Sequence, residues 1–343
     1  MDDGPALSCQ ERFNRRWPAL RDPHVRALAW LLDSPDLMAA DAPCWQGRIA
    51  TLGPLPDEAT AWLNTLQEDP ALNGALHAHL LRQPSGRLGR YAEQLLGFYL
   101  QWRGQLVAAN LQVRDNGATR ETLGEFDFLV KRPDLASGGG LEHWEFATKF
   151  YLLEPAQLPA DPAVMSADAF VGPNLADSLG RKMRKIMERQ LSLSHHPAAA
   201  AVLPEPVVSA QALVKGWLFY RDGASAPLAA GIAADHCRGF WCDAAGLRAR
   251  HGERAGCDFF LLLPRLEWLA PARADTERAL RWPALLAELD ARLAAEEAPV
   301  MVALCRVLPG AEAEVVEIER GFVVPDDWQR RAADSVRHAV QRV

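Results

Sequence analysis

Lysine is scarce in this chain. Of the 37 basic residues only five are lysine, namely Lys131, Lys149, Lys182, Lys185 and Lys215. Arginine is the background choice wherever a solvated positive charge suffices. A lysine at a chemically suggestive place therefore carries information, because its compact, titratable amine does chemistry that a guanidinium does not. Long apolar runs are missing too. The richest stretches, Phe259–Leu263 and Pro197–Val214, are too short or are broken by proline, and none approaches the ~20 residues that span a bilayer. The opening MDDGPALSCQ is acidic and lacks a basic-then-apolar pattern, so a soluble, cytoplasmic protein with no membrane association is expected.

The six cysteines are scattered and form no CxxC pair. Cys237, Cys242 and Cys257 lie near His236 in sequence, but without paired spacing they are expected to be reduced core thiols rather than zinc ligands. No GxxxxGK[ST] or GxGxxG pattern occurs, so ATP or dinucleotide chemistry has no support, and no GxSxG marks a serine hydrolase. Repeats and low-complexity tracts are absent as well. The net charge of −7 argues against a generally DNA-coating surface while leaving room for a local basic groove.

What is present is an ordinary globular composition, 49% hydrophobic and 24% charged, over 343 residues. Three regions follow from the patterning. Residues 1–84 read as helical, with apolar residues at helical spacing in Val25–Leu37 and Ala59–Leu81. Residues 85–222 read as an amphipathic helix (Arg87–Arg103), strands at Gln105–Arg114, Thr122–Lys131 and Glu142–Leu152, a charged helix at Leu175–Leu193, and a strand at Val214–Tyr220. Turn chemistry at Asp115-Asn116-Gly117 and a Ser137-Gly138-Gly139-Gly140 loop separate the first three strands. Residues 223–343 read as an α/β extension or second domain, with strands near 239–243, 259–263, 300–307 and 313–324 and a helix near 276–297. The whole is α/β, a mixed sheet flanked by helices.

Two strands carry the suggestive residues. In Gly124-Glu125-Phe126-Asp127-Phe128-Leu129-Val130, alternation predicts Glu125 and Asp127 on the face opposite Phe126 and Phe128. In His143-Trp144-Glu145-Phe146-Ala147-Thr148-Lys149, Glu145 and Lys149 share a face. If these strands are neighbours, two or three carboxylates and an amine point into one cleft. Carboxylates so placed suit a hard divalent cation, and a cation there would activate water toward a phosphodiester. Downstream, Arg181, Lys182, Arg184, Lys185, Arg189 and Gln190 crowd about two helical turns, a pattern suited to backbone phosphates or to a plain solvated face.

The run formed by a helix with Glu93, then Gly-Glu-Phe-Asp-Phe-Leu-Val, then an apolar strand with Glu145 and Lys149 resembles the PD-(D/E)XK nuclease superfamily, most of all an uncharacterised bacterial branch of unknown function. The resemblance covers about residues 86–220. It implies a restriction-endonuclease-like core, with Asp127 and Glu145, and Glu125 as a further candidate, holding Mg2+ or Mn2+. Lys149 would be the catalytic amine and Glu93 an accessory. It further implies DNA, less so RNA, as substrate, contacts from Arg181, Lys182, Arg184, Lys185 and Gln190, and a homodimer for cutting two strands.

One departure stands out. The usual acid and lysine are two residues apart, roughly 7 Å along a strand, whereas Glu145-x-x-x-Lys149 spans about 13 Å unless a bulge shortens it. Ala147 occupies the expected acidic position. The alternative reading is therefore a catalytically inactive nuclease-fold module that binds nucleic acid or a protein partner.

Overall fold

A computed structural model describes residues 7–115, 121–131, 140–154, 165–224, 228–253, 257–296, 298–308 and 310–340. The turn residues Asn116 and Gly117 and the loop residues Ser137–Gly139 lie outside them. The N-terminal region is helical as read: α1 (Cys9–Arg16), α2 (Pro23–Asp33), α3 (Asp57–Glu68), α4 (Pro70–Leu81) and α5 (Leu88–Trp102). The apolar period over 59–81 predicts one helix, and two are present. Pro70 has no N–H to continue α3, and the Asp69 carboxylate caps α4 by accepting from the Ala71 and Leu72 N–H groups.

Strands β1 (Leu106–Arg114), β2 (Thr122–Val130), β3 (Leu141–Leu153), the short β4 (Phe170–Val171) and β5 (Val207–Arg221) follow, with α6 (Leu179–Lys185) between β4 and β5. The predicted 175–193 helix is shorter and irregular. Ser178 caps its start by accepting from the Arg181 N–H, and α6 passes into a π-helical turn at Ile186–Gln190. Then come β6 (Cys237–Cys242), α7 (Ala244–Glu253), β7 (Phe259–Leu262), β8 (Arg273–Asp275), α8 (Trp282–Glu296), β9 (Val300–Leu308), β10 (Ala311–Val323) and α9 (Trp328–Val340). Helices α7 and α9 were not legible in the sequence pattern.

All ten strands belong to one mixed sheet, ordered β1-β2-β3-β5-β6-β10-β9-β7, with β4 beside β3 and β8 beside β10. The C-terminal strands thus extend the first sheet instead of forming another. The first three strands pair antiparallel, and β3-β5-β6-β10 run parallel. One face packs on α2, α3, α4 and α5 through Trp30, Leu63, Leu95, Trp144 and Trp217. The other is covered by α6 and its π turn, and farther along by α7 and α8. Among the described residues no helix is long and apolar enough to cross a membrane.

A buried ion pair ties the halves together. Arg320 on β10 bonds both oxygens of Glu317, at 2.6 and 2.7 Å, and also the carbonyls of Trp268 and Ala270. Gln10 and Asn14 of α1 reach the same Glu317. Every charge is answered, which is the condition for burying a pair without a large penalty.

Close approach of β3 and β5 sets the position of the third strand. Lys149 pairs with Gly216, where a Cβ would stand 1.9 Å from the Lys149 carbonyl oxygen. Gly216→Ala is therefore expected to force the strands apart and to cost about 1–3 kcal/mol in denaturant unfolding; unchanged stability would show that the contact relaxes freely.

Candidate active site

The site begins where two strands part. β2 pairs with β3 only through Phe128, Leu129 and Val130, against Trp144, His143 and Glu142. Beyond that point the Asp127 side chain takes over from the backbone, its Oδ2 accepting from the Phe146 N–H at 2.9 Å. The carboxylate thus satisfies a strand N–H that a continued β2 would have met with a carbonyl.

A feature of β1 accompanies this. Asn110 has φ 55°, a left-handed conformation that asparagine tolerates better than most residues. It lies in the register gap opposite Asp127, between the Ala109–Phe128 and Leu111–Phe126 pairs. The distortion defeats simple alternation. Phe126 packs with Val113, Leu129 and Leu141, while Phe128 joins the separate cluster of Trp144 and Phe146. The expectation that both phenylalanines share a face is therefore corrected.

Glu145 points from β3 into the same gap and is only 2% exposed. Its Oε1 accepts from the Gln190 amide, which the π turn after α6 carries inward, while Lys182 donates to the Gln190 Oε1 at 3.0 Å. Its Oε2 is buried and accepts no hydrogen bond among the described residues. Neither Lys149 nor Arg114 forms an ion pair with it among the described residues. The Nε2 of His143, fully buried, stands 3.8 Å from that oxygen, too far for a hydrogen bond. Both His143 ring nitrogens lack partners among the described residues, and the ring meets Phe126 edge-on.

The charges respond to this enclosure. Burial, reinforced by the Glu145 charge, pushes the Asp127 carboxyl up to about 7. Burial likewise pushes Glu145 up to about 7, with Lys182 pulling the other way. Burial lowers His143 to about 4, so its ring is neutral at pH 7. Burial and the Lys182 charge lower the Lys149 ammonium to about 8.

Glu93 on α5 approaches closely enough for the Asp127 charge to add to burial in raising its carboxyl. It is not free, because Arg90 holds it at 2.8 Å. The same guanidinium reaches Glu125 at 3.4 Å and bonds the Asn110 side chain. Glu125 is thus turned toward Arg90. Lys149 shares the Glu145 face, and no hydrogen bond or ion pair holds its ammonium among the described residues. The bulge that would shorten the Glu145–Lys149 distance is absent: β3 keeps unbroken register with β5 from Glu142 to Leu152. Ala147 sits between them, buried in an apolar cluster with Leu179 and Met183.

The basic helix divides in two. Arg184 is committed to Asp168 by paired bonds of 2.8 and 2.9 Å. Arg181, Lys185 and Arg189 are exposed and form no ion pair among the described residues. The residues that sequence reading missed are Arg90 and Asn110. Their one signal was the spacing of Arg90 three residues before Glu93, which puts both on one helix face.

Magnesium or manganese is the implied metal. Among the described residues no group of three or more His, Cys, Asp or Glu side chains is arranged to hold a metal. A hydrated magnesium ion needs only one or two carboxylates, and an orphaned, buried Glu145 oxygen beside Asp127 fits that donor set.

A carboxyl whose folded pKa lies above its unfolded value near 4 binds more protons when folded, so stability falls as pH rises from about 4 to about 7. The metal-free chain is therefore expected to lose on the order of 3 kcal/mol more over that interval than an Asp127→Asn, Glu145→Gln double variant. Parallel pH profiles in the two proteins would count against the raised pair.

The model of a domain of unknown function, DUF1853, matches residues 26–324. No curated protein and no solved structure matches the chain. The matched span contains α5, β1–β5, α6 and every residue of the site, and the chain belongs to the DUF1853 family.

Proposed function

We propose that the chain is a divalent-metal-dependent phosphodiesterase acting on DNA, built on a restriction-endonuclease-like core. The observation that carries this reading is the Asp127–Glu145 pair: a half-buried and a buried carboxyl, both with elevated pKa values, meeting where β2 and β3 separate, with one Glu145 oxygen left unbonded among the described residues. The order helix, three antiparallel strands, helix, parallel strand, seen as α5-β1-β2-β3-α6-β5, supports it.

Asp127 and Glu145 would hold Mg2+ or Mn2+, which when bound acidifies water and offsets charge on a phosphodiester. To accept a cation the two carboxyls give up the protons that burial favours on them. The Phe146 N–H and the Gln190 amide fix the two carboxylates, so that little reorganisation accompanies binding. Lys149, half-buried and lowered to about 8, keeps a proton at neutral pH and would place an ammonium against the developing phosphorane charge. Arg90 limits the repulsion among Glu93, Glu125 and Asp127. Arg181, Lys185 and Arg189 would receive backbone phosphates, with Lys182 and Gln190 acting at the inner edge.

A specific observation favours a second reading, an inactive nuclease-fold module that binds nucleic acid or a protein partner. Ala147 is buried at the expected acidic position, and unbroken register leaves Lys149 four residues from Glu145.

The discriminating experiment is cleavage of labelled single-stranded, duplex and branched DNA, and of RNA, with magnesium or manganese. Metal-dependent cleavage of DNA is expected, reduced at least about a hundredfold in Asp127→Asn. No cleavage of any substrate by wild type would leave the binding-module reading. For binding, Arg181→Glu with Lys185→Glu is expected to weaken DNA affinity at low salt and to reduce the salt slope by about two. Unchanged affinity and slope would assign these residues to plain solvated surface.

A further inference from the structure

A cavity of about 900 Å3 lies between α1, the segment following α2 and the start of β6, lined in part by Cys9, Arg12, Trp30, Asp33, Lys215 and Cys237. None of these residues belongs to the carboxylate site. Two of the chain's six cysteines, separated by most of the sequence, line this one cavity, Cys9 half-buried at the start of α1 and Cys237 buried at the start of β6. Arg12, one turn along α1, places Nη2 3.2 Å from the Cys9 sulfur. The same guanidinium is steadied by the Asp235 carbonyl at 3.3 Å, two residues before Cys237.

We propose that Cys9 and Cys237 are a hydroperoxide-reactive thiol pair that closes to an intramolecular disulfide. The cavity admits a small oxidant to both sulfurs. The two thiols have unequal roles. The hydrogen bond from Cys237 and the adjacent Arg12 hold the Cys9 thiol below its ordinary value in spite of burial, whereas burial pushes Cys237 well above its own. Cys9 is the nucleophile and Cys237 the resolving thiol.

The Cys9 thiolate attacks one oxygen of hydrogen peroxide. The O–O bond breaks, Cys9 becomes a sulfenic acid, and the departing hydroxide takes a proton to leave as water. The Cys237 sulfur then attacks the Cys9 sulfur. The S–O bond breaks, the S–S bond forms, and the hydroxyl leaves as a second water with the Cys237 proton. Two thiols lose two electrons in all, and one peroxide is reduced to two waters. The product pins the first turn of α1 to the edge of β6.

The test is oxidation of the reduced full-length chain with stoichiometric hydrogen peroxide, followed by alkylation and peptide mapping without reductant. The expected first product is a Cys9–Cys237 cross-linked peptide, formed before modification of the solvent-exposed Cys44, an internal control. Arg12→Met is expected to slow its formation about tenfold, and Arg12→Lys to restore most of the rate. In Cys237→Ser, Cys9 is expected to stop at a sulfenic acid trapped by dimedone, and the wild-type melting temperature after reduction shows whether that variant is folded. Oxidation falling first on Cys44, or a rate indifferent to Arg12→Met in a folded protein, would overturn the proposal.

Discussion

Burying two carboxyls side by side is the constraint around which this part of the molecule is arranged. Asp127 is half-buried and Glu145 fully buried, so water solvates them poorly, and like charges there are costly. The cost is limited by protonation, which the raised pKa values of about 7 favour, by the Phe146 N–H on one and by the Gln190 amide on the other. Each device needs a deviation from regular structure. β2 must leave β3 after Phe128, Asn110 must adopt a left-handed conformation, and the helix after α6 must open into a π turn to bring Gln190 inward. Local irregularities of this kind cluster where a fold holds functional groups in place.

The regular elements were legible in the sequence because they rest on period and capping. Helix α5 and strands β1 to β3 fall within a few residues of their expected limits, since Leu88, Tyr91, Leu95 and Tyr99 repeat at helical spacing and β3 alternates. Where the reading failed, a pairwise or conformational event intervened. Asp69-Pro70 divides what periodicity joins, and Phe126 and Phe128 go to separate clusters because the β1–β2 pair is distorted at Asn110. Helix α7 was missed because little of Ala244–Glu253 repeats at apolar helical spacing. Membership of the C-terminal strands in one sheet is set by long-range pairing of β6 with β5 and β10, to which no local pattern points.

The candidate site was legible in its residues more than in its wiring. Alternation placed Glu145 and Lys149 on one face, and the strand pairing brought Asp127 to Glu145. What the sequence withheld was how each acid is answered. Arg90 couples Glu93 to Glu125, and Arg184 is spent on Asp168, so that Arg181, Lys185 and Arg189 are the cations of this helix segment that, with Lys182, form no ion pair among the described residues. Such partnerships depend on side-chain geometry across elements, and only the assembled sheet and helices define them.

The central claim is that the Asp127–Glu145 pair exchanges bound protons for a divalent cation. Calorimetric titration of manganese into the full-length chain, in two buffers of different ionisation enthalpy at about pH 6 and about pH 8, counts the protons released on binding. The account requires binding with between one and two protons released at the lower pH, fewer at the higher, and loss of both binding and release in Asp127→Asn. Absence of binding, or binding with no proton release that persists in Asp127→Asn, would contradict it.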